Sequence, residues 1–239
     1  MRTRIIFILI LISTILSSCL VKSLHPFYKE RDVVFNESLI GTWIDQDSSI
    51  WEFEQHKVAV KFMSPEKPVD YYHVKLVDEE DGNSYFEVRL FRLNSRFYLD
   101  FLPLTEENIG DNMASFHFIP SHSIARIEFF GKNNVAFFWY DQDWLKSLFE
   151  ERRVKISHEQ IGEEDWVLTA ETDELQKFII KYGEEPDMFL RIGPEIYDFN
   201  GTSLEYHEII EKEIDKVNDS SLPSGTENLV YINMYRSSK

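Results

Sequence analysis

Cysteine is almost missing from this chain: among 239 residues the only one is Cys19. A single thiol cannot form an internal disulfide, and cysteine catalysis and cysteine-based metal sites are excluded by the same count. Basic residues are also scarce, 25 against 42 acidic ones, for a net charge of −17. Such a surface predicts no nucleic-acid partner and disfavours anionic lipid head groups, while keeping the protein soluble. No apolar run reaches the roughly 20 residues a spanning helix needs. The sequence also lacks a Gly-x-Ser-x-Gly elbow, a phosphate loop and a dinucleotide fingerprint. No cofactor, catalytic residue or metal site is therefore expected, and a non-enzyme is the better reading.

What is present begins with a secretory pattern. Arg2 and Arg4 give a positive start, and Ile5 to Leu16 follow as an apolar stretch interrupted by Ser13 and Thr14. This fits the hydrophobic region of a signal peptide. Leu16-Ser17-Ser18-Cys19 resembles the lipobox of bacterial lipoproteins, which implies cleavage after Ser18 and lipid on Cys19. Palmitate-type acylation of one cysteine with two or three chains gives stable anchoring, at about 0.8 kcal/mol per buried CH₂. Loss of residues 1–18 leaves 221 of the 239 residues, with 23 basic and 42 acidic side chains and a net charge of −19. Leu20 stands where an aspartate would retain many lipoproteins at the inner membrane. The expected location is the cell envelope, lipid-anchored on the outer membrane and facing the periplasm.

Hydrophobic residues make up 43% of the chain and aromatics 15%, enough for a folded, sheet-rich core. From Gly41 onward the apolar residues alternate. Trp51 and Phe53 oppose Glu52 and Glu54; Val58, Val60 and Phe62 oppose Lys61; Tyr72, Val74 and Leu76 oppose His73 and Lys75. Phe86, Val88 and Leu90 follow a turn at Asp81-Gly82-Asn83. Phe97, Leu99 and Phe101 continue the period, as do Phe116 and Phe118, and Ala125, Ile127 and Phe129 oppose Arg126 and Glu128. Residues 134–140 are nearly all apolar. About nine short strands spaced as hairpins predict an antiparallel sandwich or barrel. Asp141 is placed to cap a helix to about Glu150, and Thr172 to cap a second that Gly183 stops. Trp166 to Leu168 suits one more strand. An acidic helix over 204–217 and a final strand over Leu229 to Tyr235 are expected near the end. The predicted organisation is a signal peptide at 1–18, a lipidated tether at 19–35, a β domain at 36–190 and an acidic C-terminal extension at 191–239.

Ser38-Leu39-Ile40-Gly41-Thr42-Trp43 resembles the opening of the lipocalin and calycin barrels. The resemblance implies a short 3₁₀ turn that enters the first strand through Gly41, with Trp43 closing one end of a barrel. The lipocalin Thr-Asp-Tyr motif is absent, and Val69-Asp70-Tyr71 falls too early for it. A second likeness is to uncharacterised bacterial envelope lipoproteins. It is carried by Ser23 to Tyr28, Val34-Phe35, Gly41-Thr42-Trp43, Asp143-Trp144-Leu145 and the segment Leu168 to Gln176. Together these imply a mainly β fold, an antiparallel lipocalin-like barrel or half-open barrel with two or three flanking helices.

Other constellations have bland explanations. His207-Glu208-Ile209-Ile210-Glu211 carries Glu211 where a zinc-protease helix needs its second histidine. His117 and His122 are five apart in strand-rich sequence and so face opposite sides. Asp78 to Asn83 lacks EF-hand spacing and suits a hairpin turn. Two non-catalytic functions remain, of which the first is the expectation and the second the alternative. In the first, a cup lined by Trp51, Phe53, Val60, Phe62, Phe86, Val88, Phe97, Leu99, Phe116 and Phe118 binds a hydrophobic small molecule. In the second, those side chains form a filled core and the exterior holds an envelope protein partner.

Overall fold

Eleven strands among the described residues form one mixed sheet with two α-helices. The computed structural model describes residues 20–45, 49–57, 70–78, 82–105, 113–130, 134–162, 165–185, 188 and 231–236. The strands are β1 (Lys22–Ser23), β2 (Gly41–Ile44), β3 (Ile50–His56), β4 (Tyr71–Asp78), β5 (Gly82–Leu93) and β6 (Arg96–Pro103). After them come β7 (His122–Phe130), β8 (Asn134–Trp139), β9 (His158–Ile161), β10 (Asp165–Leu168) and β11 (Tyr231–Arg236). Neighbours run β6-β5-β4-β3-β2-β11-β8-β7-β1-β10-β9, and β6 also pairs with β7. Every pairing is antiparallel except that of β1 with β10. No helix among the described residues is long and apolar enough to cross a membrane.

The alternation read from the sequence sets the register of the meander. Trp51 faces Leu76 across β3 and β4, Val74 faces Phe86 across β4 and β5, and Leu90 faces Leu99 across β5 and β6. Asn94 turns the β5–β6 hairpin in the left-handed region at φ 54°, a conformation asparagine accepts better than most residues.

Both faces of the later strands are buried. One face carries Leu99, Phe101, Val135, Phe137 and Trp139 into a core with Trp43, Trp51, Phe53 and Val88. The other carries Tyr98, Ile124, Ala136, Phe138 and Tyr140 into a second core beneath the helices. This accounts for the unbroken apolar run at 134–140, since a strand covered on both sides needs no polar alternation.

The helices α1 (Gln142–Glu150) and α2 (Thr172–Tyr182) pack together over that second core. The Asp141 carboxylate caps α1, accepting from the backbone N–H of Asp143 at 2.7 Å and Trp144 at 3.3 Å. Trp144 meets Phe178 and Tyr182 of α2 at ring distances of 6.0 and 5.8 Å. At α2 the capping expectation is corrected. Glu171 holds the N-cap position without a side-chain bond, and the Thr172 hydroxyl donates instead to the Pro26 carbonyl at 2.8 Å. Gly183 does end α2, but with an ordinary φ of −64°. Glycine is needed there for space: a Cβ would lie 2.5 Å from the Ile179 carbonyl oxygen and 3.2 Å from the Tyr98 hydroxyl.

Two further expectations are corrected. Residues 20–35 are not a free tether, because β1 pairs with β7 and β10 and Val21, Phe27 and Val33 are buried. Just after His25-Pro26, Phe27 lies in the second core at 1% exposure. Phe116 is in a 3₁₀ turn (Met113–His117) and Phe118 follows it, so neither continues a strand. The sequence left open whether the C-terminal region packs on the β domain; its strand β11 lies between β2 and β8. Cys19, Val58, Val60, Phe62, Asp81 and the helix expected at 204–217 lie outside the described residues.

Candidate functional site

The face proposed as a ligand cup is densely filled with aromatic rings among the described residues. Trp51 meets Phe101 at 6.3 Å and Phe137 at 6.0 Å, both edge-on. Phe53 packs edge-on against Tyr72 at 5.9 Å, and Phe101 lies 4.8 Å from Trp139. Edge contacts of this kind contribute about 0.5–1.5 kcal/mol each beyond area burial. Val88 and Leu99 are fully buried among these rings. Phe86 and Phe97 are partly buried, Phe86 edge-on to Phe101 and Phe97 edge-on to Phe129. Phe118 is 55% exposed and does not join the group.

The polar atoms of this core are matched. The Trp43 indole N–H donates to the Leu39 carbonyl at 2.8 Å, and Trp43 is only 1% exposed. Leu39 closes the 3₁₀ turn Glu37–Leu39, and Gly41 starts β2 at φ 129°, where a side chain would strain the backbone. The Trp51 indole donates to Asp45 at 2.8 Å, whose other oxygen accepts from the Ser49 backbone N–H at 2.9 Å. Ser49 Oγ donates to Asp78 at 2.7 Å, tying the ends of β3 and β4. Tyr72 accepts from the Asn36 N–H at 2.8 Å and donates to the Asn36 carbonyl at 3.0 Å. Burial pushes that phenol up to about 12 against the smaller opposing effect of the Asn36 bond.

On the opposite face two charged sets hold the surrounding chain. Asp100 accepts from the Phe27 N–H at 2.8 Å, and His122 Nδ1 lies 2.6 Å from its other oxygen. Burial raises the Asp100 carboxyl above its usual 3.8, and the His122 and Phe27 bonds only partly oppose this. Arg126, 0% exposed, places Nε 3.3 Å from Glu128 and donates through Nη1 to the Gly183 carbonyl at 3.3 Å. Its guanidinium also lies 4.6 Å from the Phe138 ring centroid. Arg96 joins Glu128 at 3.6 Å to Glu184 at 3.0 Å, so the end of α2 is tied to β6 and β7. These groups have structural work: Asp100 seats the lead-in, and Arg126 seats α2.

A carboxyl that keeps its proton to higher pH when folded than when unfolded makes the folded chain bind more protons. Stability then falls as pH rises from the unfolded value through the folded one. Asp100→Asn should remove that contribution. Urea unfolding across pH should show the variant gaining relative to wild type above about pH 4, with little difference in slope below it. Parallel curves over the whole range would contradict the burial argument.

Sequence reasoning missed both charged sets, although each left a trace. Asp100 is a lone acid within Phe97 to Leu102, and Arg126 and Glu128 interrupt a strand flanked by aromatics. The segments behind the second likeness converge here: Gln176 donates to the Phe27 carbonyl at 3.2 Å and to Asp32 at 2.8 Å. Of the histidines considered for metal, His122 lies against Asp100 and His117 ends the exposed 3₁₀ turn. No group of three or more potential metal ligands occurs among the described residues. No family model, curated protein or solved structure matches the chain.

Proposed function

We propose that the protein is a lipid-anchored bacterial envelope lipoprotein whose domain is a non-catalytic interaction module, acting through its exterior around a filled core. The observation that carries this reading is the packing of Trp51, Phe53, Val88 and Leu99 against Phe101, Phe137 and Trp139. The alternative use of the same side chains, as the lining of a cup for a hydrophobic small molecule, would need open volume where these rings touch.

The sheet is read as an eight-stranded, lipocalin-like barrel. Support comes from the pairing of β6 with β7 and of β11 with both β2 and β8, which links β2 through β8 and β11 in sequence. Lipid on Cys19 would leave little slack, because Leu20 already bridges to Asp141 and Val21 is buried. The module would then sit close to the outer membrane on its periplasmic side.

Apolar side chains left in solvent favour contact with an envelope protein. Met113, Phe118 and Ile119 are 81%, 55% and 79% exposed between β6 and β7. Apolar side chains gathered in solvent are the kind of surface that protein partners, membranes and ligands cover. A photo-crosslinking residue at position 119 should give a discrete adduct in living cells, and one at exposed Glu54 should not. Equal adducts from both positions, or none from 119, would remove this surface from the account.

A further inference from the structure

The net negative charge conceals one basic groove. Arg152, Arg153 and Lys155 follow α1, Lys177 and Lys181 lie one turn apart on α2, and all five border an open groove of about 460 Å³. Glu174 is the single carboxylate among the described residues of its lining, and Phe178 and Tyr182 form part of its wall. In a chain with 25 basic and 42 acidic residues, five basic side chains against one carboxylate on this lining are a local concentration of cations.

Holding these cations together has a physical cost. Like charges one helical turn apart repel one another. Arg152 adds backbone strain, because it sits in the left-handed region at φ 55°. The Arg152 N–H donates to the Phe149 carbonyl at 3.0 Å and the Arg153 N–H to that of Leu148 at 2.9 Å. That pair of bonds is the helix ending in which glycine usually takes the position held here by Arg152. A residue that glycine would replace with less strain is a guanidinium on the rim of the groove.

We propose that this groove binds a phosphate-bearing anion with an apolar portion. Guanidinium forks match phosphate oxygens, and lysine ammonium groups add charge without fixed geometry. Lys181 is already ordered beside the wall: it donates to the Tyr182 hydroxyl at 2.7 Å and lies 4.5 Å from that ring. Arg153 is held by Glu151 at 3.4 Å in an exposed pair that an anion can displace. The volume suits a small ligand. An acidic protein would instead meet the wider negative surface, whereas a compact anion meets only the groove. This site is independent of the lipid anchor and of the filled interior.

The test is calorimetric titration of the detergent-solubilised full chain with inorganic pyrophosphate, and separately with short-chain phosphatidylglycerol. Binding of pyrophosphate that the lipid displaces identifies a head-group site, and binding that it leaves untouched identifies a soluble phosphate site. Lys177→Gln with Lys181→Gln should weaken either by about tenfold or more. Arg152→Gly should also weaken binding, yet melt no lower than wild type because glycine suits the left-handed conformation. Failure of both probes to bind, or unchanged affinity in these variants, overturns the proposal.

Discussion

Arg126→Met should lower the free energy of unfolding by about 3–5 kcal/mol, the range for removing one partner of a buried ion pair. The variant keeps the aliphatic volume of Arg126 but leaves the Gly183 carbonyl without its donor and Glu128 with Arg96 as its cation. Burial already raises the Glu128 carboxyl, and Arg126 is the first influence opposing it. Without the guanidinium, Glu128 should take up a proton more readily, giving a loss that is greatest at neutral pH and smaller in acid. Arg126→Met combined with Glu128→Leu should recover most of the loss, since an apolar pair strands no charge. Urea unfolding of the single and double variants measures both effects. A single variant within about 1 kcal/mol of wild type would place the pair outside the buried class.

Arg126 also shows where sequence reading stopped. Alternation at Ala125, Ile127 and Phe129 placed the neighbouring residues on the opposite face correctly, but period two cannot say whether that face meets water or helices. Here α1 and α2 cover it, so Arg126 is a core residue. The strands of the meander and the Asp141 cap were legible because each is set by local patterns, whereas the turn before Gly41 was expected only through the lipocalin resemblance. The packing of Phe27 under α2 was not, because it depends on Asp100 and Gln176, 73 and 149 residues away. For the same reason β11 could be expected as a strand, but its position between β2 and β8 could not be read. Whether the interior is filled or open was equally hidden, since Phe and Trp line a cavity or pack a core with one and the same pattern. The basic groove escaped because net charge averages over a surface whose cations come from two separate segments.

Cys19→Ala should abolish lipid labelling altogether. On the proposed lipoprotein reading, the Arg2 and Arg4 start, the short apolar stretch and Leu16-Ser17-Ser18-Cys19 point to Cys19 as the acceptor, and it is the only thiol in the chain. A cell grown with an alkyne fatty acid should label the wild type strongly and the variant at background. Equal labelling of the two proteins would end the lipoprotein reading.

Native mass spectrometry of the wild-type protein, released from membranes in a neutral detergent, tests the filled interior most directly. The rings of Trp51, Phe101, Phe137 and Trp139 lie in contact with one another, and on the proposed reading they take the space a guest would need. The expected spectrum is the acylated polypeptide without a stoichiometric hydrophobic adduct, and apolar fluorescent probes should show no micromolar binding. A one-to-one hydrophobic adduct that survives gentle activation, and that an apolar probe displaces, would contradict the account and restore the carrier function.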